Sequence, residues 1–181
     1  MNSDLKIIFA GPVGAGKTTA ICSISDVPPV TTDEHASDMT KQRKQQTTVA
    51  FDYGVMNLDG NEKIHLYGTP GQERFDFMWD ILSKNALGLV LLIDNSRKDP
   101  MRDLVFFIDS FRSLINKSSL AIGVTQMDKT SLPKIANYNK KLRELKFKAP
   151  VFEVDARDKN DVSLLVQSLL YSIDDGLEQA S

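Results

Sequence analysis

The sequence predicts a three-layer α/β fold: a six-stranded, mostly parallel sheet with one antiparallel edge pairing and helices on both faces. Three observations carry this. Short apolar runs alternate with longer amphipathic ones along all 181 residues. Most links between the apolar runs are long enough to hold the crossover helix that parallel pairing requires. One link, with Asp59-Gly60 at its centre, has the form of a hairpin turn instead.

Taken in order, residues 5–10, 48–58, 63–67, 87–93, 120–125 and 151–154 read as strands. Helices are expected at 17–24, 75–83, 101–115, 133–145 and 162–172. The helix after Pro100 has a clear start, because proline suits a first helical turn and Asp103 complements the dipole. The hairpin makes the second and third strands antiparallel, and the remaining links are expected to be parallel, five in all. The polar stretch 25–46 is too long to be an idle connection.

Composition fits one compact domain over 1–181: 41% hydrophobic and 25% charged residues. Lys+Arg 22 against Asp+Glu 24 gives a net charge of −2, which speaks against a nucleic-acid binder relying on overall positive charge. The lone Cys22 excludes an internal disulfide and a cysteine-based zinc site, so a reducing, cytoplasmic setting is expected, with Cys22 as buried packing. The longest apolar run, 86–93, is far short of the roughly 20 residues of a membrane helix. Neither end carries a signal-peptide, myristoylation or prenylation pattern, so no direct membrane anchor is expected.

After the first strand comes Gly11-Pro12-Val13-Gly14-Ala15-Gly16-Lys17-Thr18-Thr19, running into a helix. This is G-x-x-x-x-G-K-[ST] in its strand–loop–helix setting, the mark of a P-loop NTPase. Backbone N–H groups of such a loop wrap the β-phosphate at a helix N-terminus. Lys17 is expected to reach the β- and γ-phosphates, and the Thr18 hydroxyl to bind Mg²⁺.

Four further segments follow in order: Thr48-Val49-Ala50-Phe51-Asp52-Tyr53, Gly68-Thr69-Pro70-Gly71-Gln72-Glu73-Arg74-Phe75, Thr125-Gln126-Met127-Asp128 and Asp155-Ala156-Arg157. With the P-loop they make the chain resemble the Ras-like small GTPases over nearly its whole length. The resemblance implies an extended switch I loop at 25–47, with Thr48 covering Mg²⁺ and the γ-phosphate, and a switch II at 68–83. There Gly71 would donate its N–H to the γ-phosphate and Gln72 would orient the attacking water. Catalysis would then fall on Gln72, Lys17 and Thr48. Such contacts order the switches in the triphosphate state and release them on hydrolysis. Guanine presents an N1–H and a 2-amino group that the Asp128 carboxylate can accept together, whereas adenine has no matching donor pair. Ala156 would offer its N–H to guanine O6, the Gln126 stem would lie along the base, and Thr125, Asp155 and Arg157 would complete the base site.

Three departures stand out. The aspartate that opens the switch II motif, and holds a Mg²⁺-bound water in the family, is Gly68 here. Weaker Mg²⁺ dependence is expected. Together with Thr69-Pro70-Gly71, this is similar to bacterial MglA-type GTPases, which implies a Roadblock-type regulatory partner. Val13 stands where many members carry a small residue, and predicts slow intrinsic hydrolysis with little room for a partner's arginine. The span from Thr18 to Thr48 is long and polar; in it Arg43 reads either as an internal arginine finger or as part of a solvated basic loop.

The 75–82 segment puts Phe75, Met78, Ile81 and Leu82 on one stripe that can pack on the sheet. Phe77 and Trp79 fall outside it, and read either as closing the core edge or as a partner-docking patch. The basic run from Lys134 to Lys148 reads as a solvated face or as a surface for an acidic partner or anionic membrane. The expected function is a GTP-binding switch that binds GTP and GDP with Mg²⁺ and hydrolyses GTP slowly, faster with a partner protein. A non-hydrolysing GTP-binding scaffold and a P-loop ATPase are the alternatives.

Overall fold

The computed structural model describes residues 5–31, 52–58, 62–71 and 76–178, with the side chains of 76–78 and 174–178 left aside. Its strands are β1 (Leu5–Ala10), β2 (Asp52–Asn57), β3 (Lys63–Gly68), β4 (Gly88–Asp94), β5 (Ser119–Thr125) and β6 (Val151–Glu153). Its helices are α1 (Lys17–Ile24), α2 (Asp76–Ser83), α3 (Pro100–Ser110), α4 (Arg112–Ile115), α5 (Ile135–Glu144) and α6 (Lys159–Glu178). The sheet order is β2-β3-β1-β4-β5-β6. An open sheet of six strands has five pairings, so the expected count of five parallel links is corrected to four, with β2–β3 antiparallel.

β1 lies inside the sheet, and Ile7, Ile8, Phe9 and Ala10 are all fully buried. That explains its unbroken apolar run, since a parallel strand covered on both faces has no polar side to show. Ile7 and Phe9 pack with Ile21 of α1 and Leu165 of α6. Ile8 faces the other layer with Trp79, Leu104 and Tyr138 from α2, α3 and α5. From β1 the chain reaches β3 on one side and later β4 on the other, opening a crevice at the carboxyl ends of the strands.

The outward edge of β2 is covered by the chain that follows α1. Val30 exchanges two backbone bonds with Tyr53 at 2.9 Å, and the Asp26 N–H donates to the Val55 carbonyl at 2.7 Å. The Val55 N–H donates to Ser25 Oγ at 3.1 Å and the Asn57 N–H to Asp26 Oδ2 at 2.8 Å.

Several expectations change. The helix expected over 101–115 starts at Pro100 with Asp99 as its cap and breaks at Phe111, where ψ reaches 14°. The last helix runs twenty residues, Lys159–Glu178, well past both expected ends. Cys22 is exposed rather than buried, because α1 turns Ala20, Ile21 and Ile24 to the sheet instead. α2 is rotated from its expected setting: Trp79 is 2% exposed and Ile81 63% exposed. Trp79 is therefore a core residue and not a partner surface, and Ile81 does not pack on the sheet. The side chains of Phe77 and Met78, like Phe75 and residues 48–51 of the expected second strand, lie outside the described residues.

Candidate functional site

Gly11–Gly16 bridges β1 and α1 at the crevice, as the motif requires. Gly11 has φ +143°, and a Cβ there would meet the Leu92 carbonyl oxygen at 2.1 Å, so only glycine fits between the loop and β4. Gly16 ends the loop at φ +94° as the residue before α1, and no side chain caps the helix. Its first-turn N–H groups are thereby left to an anion. Ala15 is fully buried, whereas Gly14 and Thr19 are exposed and Val13 is 56% exposed at the rim.

Lys17 is folded back into the loop, its Nζ donating to the carbonyls of Gly11 and Pro12 at 2.8 Å each. Burial pulls its pKa down to about 8, the nearby Asp52 carboxylate opposes this, and the Arg97 guanidinium adds to it. Arg97 is itself held by Asp103 of α3 at 2.6 Å, with its Nη1 3.5 Å from the Val13 carbonyl. A phosphate entering the loop would replace two neutral acceptors of Lys17 with charged ones.

The Thr18 hydroxyl donates to Asp52 Oδ2 at 2.5 Å. Asp52 is paired with Gly68 across the β2–β3 ladder. A Cβ on Gly68 would lie 3.1 Å from Asp52 Cβ and 3.2 Å from Oδ2, so the Asp52 side chain fills the space that the absent Gly68 side chain leaves. A carboxylate thus stands beside Thr18, contributed by the strand next to the one expected to carry it. Asp52 was not singled out in the sequence; counting outward from the hairpin turn would have come within one residue of finding it. Among the described residues no cluster of three or more His, Cys, Asp or Glu could cage a metal. Mg²⁺ asks for less: one or two protein oxygens, with waters and phosphates for the rest, and Thr18 with Asp52 fit that demand.

Gly71 reaches the same place from β3. A Cβ on it would lie 2.6 Å from the Val13 nitrogen and 2.9 Å from Lys17 Nζ, so the backbone at Gly71 is in contact with the P-loop. Thr48 and Gln72, and with them Arg43 and the 25–47 loop beyond residue 31, lie outside the described residues.

The Thr125–Asp128 and Asp155–Arg157 segments, expected to hold the base, converge on the other side of the loop. Thr125, 3% exposed at the end of β5, donates its hydroxyl to the Ala15 carbonyl at 3.1 Å and so ties that strand to the P-loop. Gln126 takes the left-handed conformation at φ 59°, starting a single 3₁₀ turn that presents Asp128 to solvent. Ala156 is 8% exposed, and its Cβ lies 2.9 Å from where a Cβ on Gly16 would be. Asp155 accepts from Arg157 Nε at 2.9 Å and Nη2 at 2.7 Å, which holds its carboxyl down at about 2. Arg157 also feels the charge of Asp128, so these two segments share one field. A concavity of about 500 Å³ lies at the opposite end of the sheet between α2 and α4, lined by Asp80, Lys84, Ser113 and Lys117.

Comparison with known proteins agrees with this geometry. The chain is 30% identical over 94 residues to an uncharacterized protein of Methanocaldococcus jannaschii, covering 52% of this chain and 53% of the relative. It is 26% identical over 107 residues to intraflagellar transport protein 22 of Chlamydomonas reinhardtii, covering 59% and 53%. It is 24% identical over 119 residues to Ras-related protein Rab-18-B of Danio rerio, covering 64% and 52%. The chain spans about half the length of these curated relatives. The P-loop and these likenesses support nucleotide binding. Residues 27–175 match the model of a family described as conserved hypothetical ATP binding protein, and the chain belongs to that family.

Proposed function

We propose that this protein is a GTP-binding molecular switch that hydrolyses GTP slowly to GDP and phosphate with Mg²⁺. The observation that carries the reading is the Thr18–Asp52 hydrogen bond beside the buried Lys17. It puts a carboxylate beside Thr18 despite Gly68. Thr18 would hold the metal directly and Asp52 would accept from its water. Mg²⁺ held there would neutralise phosphate charge. Lys17 donates to the same phosphates, Thr48 covers the γ-phosphate, and Gln72 orients the water that attacks it.

Val13 at the rim keeps the intrinsic rate low, and a partner acts by repositioning Gln72. The likeness to MglA-type GTPases makes a Roadblock-type protein the partner to test. Steady-state turnover of GTP in Mg²⁺ buffer tests the switch: multiple turnovers, abolished by Gln72→Leu, are expected. No turnover in the unaltered chain, with GTP still bound, would leave the scaffold reading in place.

The family's description favours a second reading, adenine nucleotide. Asp128 opposes it, since ATP would leave that carboxylate without a donor pair. Calorimetric binding of non-hydrolysable GTP and ATP analogues separates the two. Tighter binding of the guanine form is expected, and equal or tighter binding of the adenine form would overturn the guanine assignment.

A further inference from the structure

We propose that Trp79 is a positioning residue for the γ-phosphate, aiming the Gly71 N–H through the peptide that precedes it. This rests on the nucleotide-switch reading above. The Trp79 Nε1 donates to the Pro70 carbonyl at 3.2 Å. That carbonyl and the Gly71 N–H belong to one peptide unit, which is planar and trans, so fixing the direction of the oxygen fixes the direction of the N–H. Rotating the peptide that carries the Gly71 N–H requires the indole to release Pro70.

The grip is rigid at both ends. Trp79 is 2% exposed and wedged on α3 and its junction with α4. Its ring stacks on Phe111 at 5.0 Å and 22°, leans on Phe107 at 5.4 Å, and meets the edge of Phe106 at 6.1 Å. Apolar packing alone would be satisfied by a fourth phenylalanine; a buried indole is used where its N–H has a partner. On the near side Thr69 is 2% exposed, its backbone N–H bonded to the Phe9 carbonyl at 2.8 Å and its hydroxyl to the same oxygen at 3.2 Å. Thr69 is thus pinned to β1, Pro70 to Trp79 and Gly71 against Val13 and Lys17. Of the three, only the Trp79 bond sets the rotation of the peptide that carries the Gly71 N–H.

The experiment measures dissociation constants for GDP and GTPγS in Mg²⁺ buffer for the unaltered chain, Trp79→Phe and Phe111→Leu. Trp79→Phe keeps a ring in the aromatic stack and removes the N–H. It is expected to weaken GTPγS about tenfold, the worth of one hydrogen bond, with GDP within about twofold. Phe111→Leu thins the packing under the indole but leaves its hydrogen bond, and is expected to lower the unfolding temperature without changing the GTPγS-to-GDP ratio. Equal weakening of both nucleotides by Trp79→Phe, or no weakening, would overturn the proposal, as would a ratio moved equally by Phe111→Leu. Failure of the unaltered chain to bind either nucleotide would overturn the switch reading and this one with it, and is read from that chain alone.

Discussion

The hydroxyl of Thr18 and the carboxylate of Asp52, 34 positions apart in sequence, are joined by a 2.5 Å hydrogen bond at the mouth of the P-loop. Asp52 stands opposite Gly68 in the ladder, and the two positions share one volume that holds one side chain.

Restoring an aspartate at position 68 is therefore expected to harm the protein. Gly68→Asp would press its Cβ to 3.0 Å from Ile21 Cδ1 and 3.1 Å from Asp52 Cβ, at a stability cost of about 1–3 kcal/mol. Asp52→Ala alone is expected to weaken Mg²⁺-dependent GTPγS binding about 10- to 100-fold. The double variant Asp52→Ala with Gly68→Asp should recover part of both losses. Urea denaturation and binding titrations across Mg²⁺ concentrations check the three together.

Nucleotide affinity should fall in mild alkali. Lys17 has a pKa of about 8 in the free protein, below its ordinary 10.5, and must be charged to hold phosphate. Binding then takes up a proton above pH 8, and affinity at pH 9 should be about tenfold lower than at pH 7. The free protein moves the other way. Its buried ammonium costs stability below pH 8, and the cost is relieved as pH rises from about 8 toward 10.5. Arg97→Ala should shift both breaks to higher pH, since Arg97 helps to lower the Lys17 pKa. Calorimetry in buffers of different ionisation enthalpy reads the proton uptake.

Thr125→Val should cost about 1–3 kcal/mol, because it strips the hydroxyl that satisfies the Ala15 carbonyl inside the protein. It should also weaken nucleotide binding, since that bond fixes the base strand to the phosphate loop. A matching loss in a variant of the exposed Ser113, far from the P-loop, would argue against this, and thermal unfolding with binding on both variants decides it.

Asp128→Asn should exchange the base preferred. An amide offers one acceptor and one donor, matching the N1–H and 2-carbonyl of xanthine and no longer the two donors of guanine. Competition between GDP and XDP for the variant checks it; retained guanine preference would mean that Asp128 does not touch the base.

Much of this was readable in the residues. β1 and α1 stand where periodicity put them, because an unbroken apolar run and the G-x-x-x-x-G-K-T loop between them admit few alternatives. Trp79 was not so plain: an eight-residue helix with apolar residues nearly all round can bury more than one face. The phenylalanines of α3 and of its junction with α4 decide that Trp79 goes in and Ile81 out. Asp52 was hidden for another reason. The Leu58 N–H donates to the Glu62 carbonyl, one residue further apart than a two-residue turn allows, and a one-residue change of register moves every side chain to the other face. Composition and periodicity do not carry that kind of information.

The covered edge of β2 bears on how these molecules behave in a crowd. An open strand edge is a template on which another chain can add, the usual start of aggregation and fibre growth. Here Ser25, Asp26 and Val30 already occupy β2's outward groups, so a newcomer must first strip off five bonds. The other edge, β6, offers only Val151–Glu153, too short to seed a lasting ladder. Both borders of the sheet are thus guarded against runaway assembly, one by its own chain and one by brevity.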